Sequence, residues 1–247
     1  MHIEWTTGLA VAAVFLVAGF GKGIVGIGLP IFAVSLLSHI IGIREAIYIT
    51  LAPAMLTSLA QAIAGPALKT IFKRLWPLLL VGGISIGIAT QLGLKGDKRI
   101  LAFIVGSLII VYSAVSLAKF KFPRPGKYEP VLTPLLGLIG GTLGGMSGMF
   151  AMPVVPYLQT LGFNRNELIQ AIAVWFVAGA LIMLTVVGAN RSFTPNLVML
   201  SVIAAATSLT GIWFGGRVRG RMSEELFVRV FLIAFLFFGA AILLKAF

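Results

Sequence analysis

The sequence predicts an all-α integral membrane protein built from two inverted repeats. Of its 247 residues, 59% are hydrophobic and 11% are charged, whereas a soluble domain carries about 25% charged residues. The apolar runs have the length of membrane-crossing helices, and they lack the alternation of outer-membrane strands. A glycine-rich pattern that occurs once in each half indicates the repeat. We expect each half to hold a glycine-rich broken or re-entrant helical segment followed by three transmembrane helices.

The two glycine-rich segments are the first element of each repeat. Residues 19–30 read GFGKGIVGIGLP, and residues 140–153 read GGTLGGMSGMFAMP. Glycine-rich backbone forms a poor helix. Hydrocarbon cannot satisfy loose peptide groups, so such a segment is tolerated at membrane depth only where protein or a polar cavity surrounds it. Two of them in corresponding positions indicate a transport site.

Six uninterrupted apolar spans follow these segments, three in each half. They lie at about 46–64, 75–92, 100–118, 168–188, 197–214 and 227–244. A constant offset places Gly19, Gly23, Gly26 and Glu45 on Gly141, Gly145, Gly148 and Glu167. We therefore divide the chain into a first transmembrane repeat at 1–118, a cytoplasmic linker at 119–131 and a second repeat at 132–247. The prolines and charges of the linker are typical of a connector outside the bilayer.

The basic residues of the connectors favour re-entrant segments. If each glycine-rich segment crosses the membrane once, these residues divide almost evenly between the two sides. If each segment is a hairpin that returns to its starting side, one side holds clearly more of them, as expected for a cytoplasmic face. Three crossings in each half then invert the second repeat, with both termini outside. One broken, kinked helix in each half is the alternative.

Composition excludes several classes of function. The net charge of +12 does not indicate nucleic-acid binding, because the basic residues lie in short connectors, where they set topology and contact anionic lipids. The sequence has no cysteine, which excludes disulfides, thiol catalysis and cysteine-based metal sites. Neither a His/carboxylate metal cluster nor a P-loop motif occurs. We therefore expect no enzyme, no metal and no cofactor.

The order of elements in both halves resembles a known family. Each half has a glycine-rich segment that ends in proline, then a polar turn that starts an Ala-rich helix, and later a turn of small and basic residues. These features lie at 26–30, 42–46 and 82–98 in the first half and at 148–153, 161–167, 211–217 and 221–226 in the second. The pattern resembles the TauE/SafE family of sulfite and organosulfonate exporters. The resemblance implies a secondary transporter of sulfur-containing oxyanions such as sulfite, sulfoacetate or thiosulfate.

Lys22 is the leading candidate for binding such an anion. It is a cation inside a glycine-rich, apolar segment, and a charge at bilayer depth costs at least about 2.5–3.5 kcal/mol unless it faces a cavity or a partner. Gly23 and Gly26 would let backbone N–H groups approach the anion, and half-helix N-termini add positive dipole ends. The alternative is a lysine whose side chain extends to the membrane interface.

The second repeat offers neutral donors instead. Gly145 or Met146 is near the position equivalent to Lys22, and Thr142 and Ser147 supply hydroxyl groups. We expect an asymmetric site, with the substrate between the two repeats, a cationic wall on one side and a hydroxyl wall on the other. Alternatively, both hydroxyls only bond to carbonyls of their own helix.

Polar and aromatic residues on the later spans add three candidates. Gln61 and Gln170 carry amides, which are costly to bury unpaired, so each either lines the substrate pathway or joins helices. Trp175 is on the same span as Gln170 and either lines the cavity or packs in the core.

Charged residues occupy matching turns after the glycine-rich segments. Arg44 and Glu45 follow the first segment, and Arg165 and Glu167 follow the second. A carboxylate in the first turn of a helix stabilises its N-terminus, so these residues suit helix starts. The alternative is a gate or a proton-coupling pair at the cavity mouth. His39, just before the first turn, suits a solvated interfacial position or a group that titrates near neutral pH.

We therefore predict a multi-pass protein of the bacterial inner membrane that moves a sulfur-containing anion by alternating access. Its partners are the lipid bilayer and a small anionic substrate, and two copies could form a homodimer. Because no ATP-binding motif occurs, we expect coupling to the proton gradient or to the membrane potential. An anion channel and a transporter of a different small organic anion are the alternatives.

Overall fold

The computed structural model describes residues 5–26, 28–120, 122–218 and 224–244, with 224–227 described by their backbone alone. Within these ranges every regular element is helical. The elements are α1 (Trp5–Val25), α2 (Leu29–Leu37), α3 (Ile43–Ile63), α4 (Leu68–Lys95), α5 (Lys98–Leu117), a 3-10 turn (Gly126–Tyr128), α6 (Glu129–Ser147), α7 (Val154–Thr160), α8 (Arg165–Ala189), α9 (Pro195–Val218) and α10 (Glu224–Leu244). Part of the turn at 221–226, which contributed to the family resemblance, lies outside the described residues.

The helix lengths confirm an all-α membrane protein. Seven helical segments of the described chain have the length and hydropathy of a membrane crossing: α1, α3, α4, α5, 126–147, α8 and α9. A shorter apolar stretch, Val228–Leu244, forms most of α10. Four of the six predicted spans lie inside an observed helix, and the other two, 46–64 and 100–118, extend one residue beyond α3 and α5. The two halves also share one order of elements, in which a long helix and a short helix precede three long helices.

The glycine-rich segments break later than the sequence suggested. Helix α1 continues through Gly19 and Gly23 to Val25, and α6 continues through Gly141 to Ser147. The expectation that these glycines make poor helix is wrong, because tertiary packing outweighs their weak intrinsic propensity. Helix α1 ends at Val25 and α2 begins at Leu29, whereas α6 ends at Ser147 and α7 begins at Val154.

Left-handed backbone explains the position of the breaks. Gly26 has φ 90°, Gly28 has φ 106° and Gly148 has φ 69°, a region that glycine enters without the steric cost of a Cβ. Helix α1 has 21 residues, about 32 Å at 1.5 Å per residue, which is enough to cross the hydrocarbon core. Each broken segment is thus one full-length helix followed by a short one. The side to which α2 and α7 lead, and with it the inversion of the repeats, stays a prediction.

The chain folds into two compact units that do not follow the repeat boundaries. The first unit contains Met1–Pro53, Gly96–Phe120 and Arg191–Phe247, and the second contains Ala54–Lys95 and Lys121–Asn190. The first unit therefore holds α1, α2, α5, α9, α10 and the start of α3. The second holds α4, α6, α7, α8 and the end of α3. Each unit combines helices from both sequence repeats.

In the first unit α1 packs against α9 through glycines on both helices. A Cβ at Gly19 would collide with the carbonyl of Ser208, and one at Gly23 would lie 2.5 Å from the carbonyl oxygen of Ile212. On α9, a Cβ at Gly211 or Gly215 would collide with backbone of α1. Such small residues spaced four apart let two membrane helices approach closely.

In the second unit α6 packs against α4 in the same way. A Cβ at Gly137 would lie 2.7 Å from the carbonyl oxygen of Leu78, and one at Gly145 would lie 2.6 Å from that of Ile86. The hydroxyl of Thr90 donates a 3.0 Å hydrogen bond to the carbonyl of Gly145. The first helix of each repeat thus packs on the fourth helix of the other repeat.

Candidate functional site

Lys22 is a buried cation in the last turn of α1. Only 4% of its surface is exposed. A spacing of three or four residues places it on the same helical face as the buried residues Val11, Phe15 and Ala18. This face adjoins the Gly19–Gly23 stripe that contacts α9. Lys22 is therefore buried within the first unit, and burial of a cation carries a desolvation cost that an interaction must offset.

The break that follows Lys22 leaves room beside the backbone. The N–H of Gly26 donates to the carbonyl of Lys22 at 2.7 Å, and a Cβ at Gly26 would meet no atom within 4 Å. Gly28 then caps α2 without a side-chain hydrogen bond to the helix. The first amides of α2, those of Leu29 and Ile31, are therefore not capped by a side chain, and such amides favour an anion.

The corresponding break in the second repeat is filled by an aromatic ring. Side chains at Gly144 of α6 or Gly179 of α8 would run into the ring of Phe150. This ring also lies edge-on to Trp175, with 6.5 Å between the ring centroids and an interplanar angle of 89°. Phe150 is 2% exposed and Trp175 is fully buried. The loop at 148–153 is therefore held by packing inside the second unit.

Two predicted substrate ligands hydrogen-bond to this loop. The indole Nε1–H of Trp175 donates to the carbonyl of Phe150 at 2.8 Å. The hydroxyl of Ser147 donates to the carbonyl of Leu143 at 2.7 Å and accepts from the N–H of Met149 at 3.1 Å. Both polar groups satisfy backbone where α6 ends, which is the structural alternative that the sequence left open for Ser147.

The two breaks therefore differ in what occupies equivalent positions. At the offset that aligns Gly23 with Gly145, Lys22 aligns with Gly144 and Gly28 aligns with Phe150. The second repeat thus has an aromatic side chain over a glycine, whereas the first repeat has a glycine and a buried cation. This difference singles out the first break as the one suited to an anion.

Three further predicted ligands lie in the glycine-rich segments. Two of them pack against a neighbouring helix, and the third is exposed. Gly23 and Gly145 have close backbone neighbours on α9 and α4. Thr142 is exposed, and its hydroxyl donates to the carbonyl of Leu138 in its own helix at 2.8 Å. Ligand roles for these three residues stay predictions.

Gln170 joins two helices of the second unit. Its amide nitrogen donates to the carbonyls of Ala62 and Gly65, each at 2.7 Å, and its amide oxygen accepts from the N–H of Ala67 at 3.1 Å. The side chain is 1% exposed. It therefore ties the start of α8 to the turn between α3 and α4. Gln61, one turn before that connection, is half-buried.

The charged turns are built as helix starts. The carboxylate of Glu167 accepts a hydrogen bond from the backbone N–H of Asn164. The side chain of Asn164 accepts from the N–H groups of Asn166 and Glu167, and together these bonds form a capping box for α8. Arg165 is exposed. This geometry supports the helix-start interpretation, and a gating role of these residues stays a prediction.

The equivalent turn in the first unit forms a hydrogen bond to a residue that is distant in sequence. The guanidinium of Arg44 donates to the carbonyl of Gly96 at 2.9 Å and so joins the start of α3 to the turn before α5. Glu45 is in the first turn of α3, and a Cβ at Gly42 would lie 2.8 Å from its carboxylate.

The predicted ligands fall into both compact units. Lys22, Gly23 and Gly26 belong to the first unit, and the second unit holds the others, Thr142, Gly145, Ser147, Gln61, Gln170 and Trp175. Sequence reasoning missed Phe150, although one signal was present. It interrupts the second glycine-rich segment at the position where the first segment has Gly28.

These features define a class and a family. Within the described ranges every regular element is a helix and seven helical segments are long and apolar enough to cross a membrane, which is the architecture of a polytopic membrane protein. The family model Sulfite exporter TauE/SafE matches residues 11–242. The chain therefore belongs to this family of membrane transporters for sulfite and related sulfur anions. No curated protein and no solved structure matches the sequence.

Proposed function

We propose that the protein is a secondary transporter that carries a sulfur-containing oxyanion across the bacterial inner membrane by alternating access. Family membership supports the class of solute. The observation that carries the proposal for the site is the burial of Lys22 one turn before the open backbone at Gly26. The substrates that we propose are sulfite, thiosulfate and small organosulfonates such as sulfoacetate.

The chemistry of this break suits an oxyanion. The ammonium of Lys22 supplies a positive charge inside an apolar helix, and the first amides of α2 supply N–H donors without a side-chain cap. Charge-assisted hydrogen bonds to an anion are about twice as strong as neutral ones. A sulfite or sulfonate group offers three oxygens as acceptors, so it can bind an ammonium and backbone amides together.

The buried cation favours an anionic substrate. An anion that binds beside Lys22 offsets the cost of burying its positive charge. In the alternating-access cycle that we propose, the site at Lys22 and Gly26 opens to each side of the membrane in turn. The cycle is driven by the proton gradient or by the membrane potential. Association of two copies stays a prediction.

Counterflow in proteoliposomes tests the proposal. Vesicles that contain the purified protein are loaded with unlabelled sulfite, and the uptake of radiolabelled sulfite from outside is followed over time. A transporter gives a transient overshoot of label and a rate that saturates with sulfite concentration. With the membrane potential held at zero, a channel gives no overshoot, and that result would replace the transporter with the channel alternative.

Competition in the same assay defines the substrate class. Thiosulfate, sulfoacetate and taurine are added outside in excess, with acetate as a carboxylate control. We expect the sulfur oxyanions to suppress the overshoot and acetate to leave it unchanged. Suppression by acetate alone would favour a transporter of a different small organic anion.

A further inference from the structure

A second polar site lies in the first compact unit, away from the α1–α2 break in sequence. A cavity of about 180 Å³ is formed by the turn after α2, the start of α5 and the end of α10. Ser38 and His39 contribute polar groups to its wall, and Ala102 and Ile242 contribute apolar groups. Lys98 and Arg99 also line it. The cavity thus combines two cations with an apolar lining.

The two cations are available to a ligand. Both side chains are exposed, and neither forms an ion pair or a side-chain hydrogen bond with any residue that the structure describes. The adjacent carboxylate of Asp97 accepts a 2.9 Å hydrogen bond from the backbone N–H of Arg99. Asp97 therefore caps α5 without pairing the guanidinium.

The polar wall has unused hydrogen-bonding capacity as well. The Nδ1 atom of His39 lies 3.0 Å from the carbonyl oxygen of Ser35. A carbonyl can only accept, so Nδ1 carries the proton of this bond. The other ring nitrogen, Nε2, is therefore an acceptor in the neutral ring; it is buried, has no hydrogen-bond partner within the described ranges, and suits a headgroup hydroxyl and not a phosphate oxygen.

The surroundings of the cavity place it at the edge of the membrane. Lys98 and Arg99 begin α5, a membrane-crossing helix, and the next exposed side chains along it are Ile100 and Phe103, at 56% and 49% exposed. Ile40, beside His39, is 51% exposed. Apolar side chains exposed on a membrane helix face lipid, and basic residues at its end lie at the headgroup level.

We propose that this cavity binds the phosphate headgroup of an anionic phospholipid. Lys98 and Arg99 pair with the phosphodiester, Ser38 and His39 form the polar wall, and Ala102 and Ile242 contact the glycerol and the start of an acyl chain. Basic pockets between membrane helices recognise anionic headgroups in this way. The apolar lining and the neighbouring lipid-facing side chains favour a lipid over a free anion of the same charge. The site is separate from the proposed transport site and does not depend on it.

Lipid retention by the purified full-length protein tests this proposal. The probes are phosphatidylglycerol, phosphatidylcholine and inorganic phosphate, added to the protein in neutral detergent, and bound lipid is measured by native mass spectrometry. The variant Lys98→Gln/Arg99→Gln removes both cations from the rim. Each basic residue near an anionic membrane surface contributes about fivefold to lipid binding, so we expect roughly 30-fold weaker retention of phosphatidylglycerol.

The matched control is Lys69→Gln/Lys73→Gln, which removes the same charge from two exposed positions of α4 outside the cavity. This control variant should retain phosphatidylglycerol as well as the wild type does. The wild type and the control should both retain less phosphatidylcholine than phosphatidylglycerol. Equal retention by both double variants would overturn the site. Displacement of the lipid by an equal concentration of inorganic phosphate would overturn the lipid as its occupant.

Discussion

The indole Nε1–H of Trp175 donates a 2.8 Å hydrogen bond to the backbone carbonyl of Phe150, and both side chains are buried. This bond fixes the loop between α6 and α7 to α8. This loop is the second of the two breaks. The ring of Phe150, which belongs to the loop, fills the space beside Gly144. The first repeat has Gly28 at the position equivalent to Phe150 and Lys22 at the position equivalent to Gly144.

Replacing the indole tests the contribution of this bond to stability. Trp175→Phe keeps an aromatic ring but leaves the buried carbonyl of Phe150 without its donor. An unsatisfied buried acceptor costs about 1–3 kcal/mol, which corresponds to a lower Tm by several degrees for a chain of this size. The control is Trp76→Phe, because Trp76 is 59% exposed. Equal Tm values for the two variants in detergent would show that the bond contributes nothing.

Two adjacent glycines of α9 test the close packing of α1 on α9. A Cβ at Gly215 would collide with the carbonyl of Phe20, whereas one at Gly216 would meet no atom within 4 Å. Gly215→Ala should therefore lower the Tm. Gly216→Ala should keep or raise it, because alanine is favoured over glycine in a helix by up to about 1 kcal/mol. The opposite order of the two Tm values would contradict this packing.

Gln170 provides a third test, because one side chain makes three hydrogen bonds to the α3–α4 turn. Gln170→Met keeps the length of the side chain and removes all three. We expect a loss of roughly 2–4 kcal/mol, since a carbonyl or N–H that loses its buried partner costs about 1–3 kcal/mol and part of the turn can reach water. The control is Gln91→Met on the exposed side of α4. Unfolding followed by circular dichroism measures the difference.

The sequence was sufficient to predict the six uninterrupted long helices and their order. Apolar runs of about 20 residues identify membrane helices by length and hydropathy alone, and the polar turns between them set the boundaries. The start of α8 followed from the carboxylate of Glu167 in its first turn. These features depend on residues close in sequence.

The position of the breaks and the partners of the polar residues could not be predicted in this way. Gly19 and Gly141 remain helical because they face another helix, a contact between residues far apart in sequence. Gln170 and Trp175 bond to backbone carbonyls, which every residue has, so no sequence pattern could name their partners. Burial of Lys22 was one of two alternatives that the sequence left open, since a cation inside an apolar helix faces a cavity or a partner or extends to the membrane interface.

The central claim is that Lys22 binds the transported anion, and sulfite uptake by proteoliposomes with Lys22→Gln tests it most directly. A hydrogen bond to a charged group contributes about 1.5–3 kcal/mol, so the variant should take up radiolabelled sulfite at least about tenfold more slowly than the wild type. The variant must keep the wild-type Tm, and Lys95→Gln, at the exposed end of α4, should keep the wild-type rate. Sulfite uptake by Lys22→Gln at the rate of the wild type and of Lys95→Gln would contradict the account.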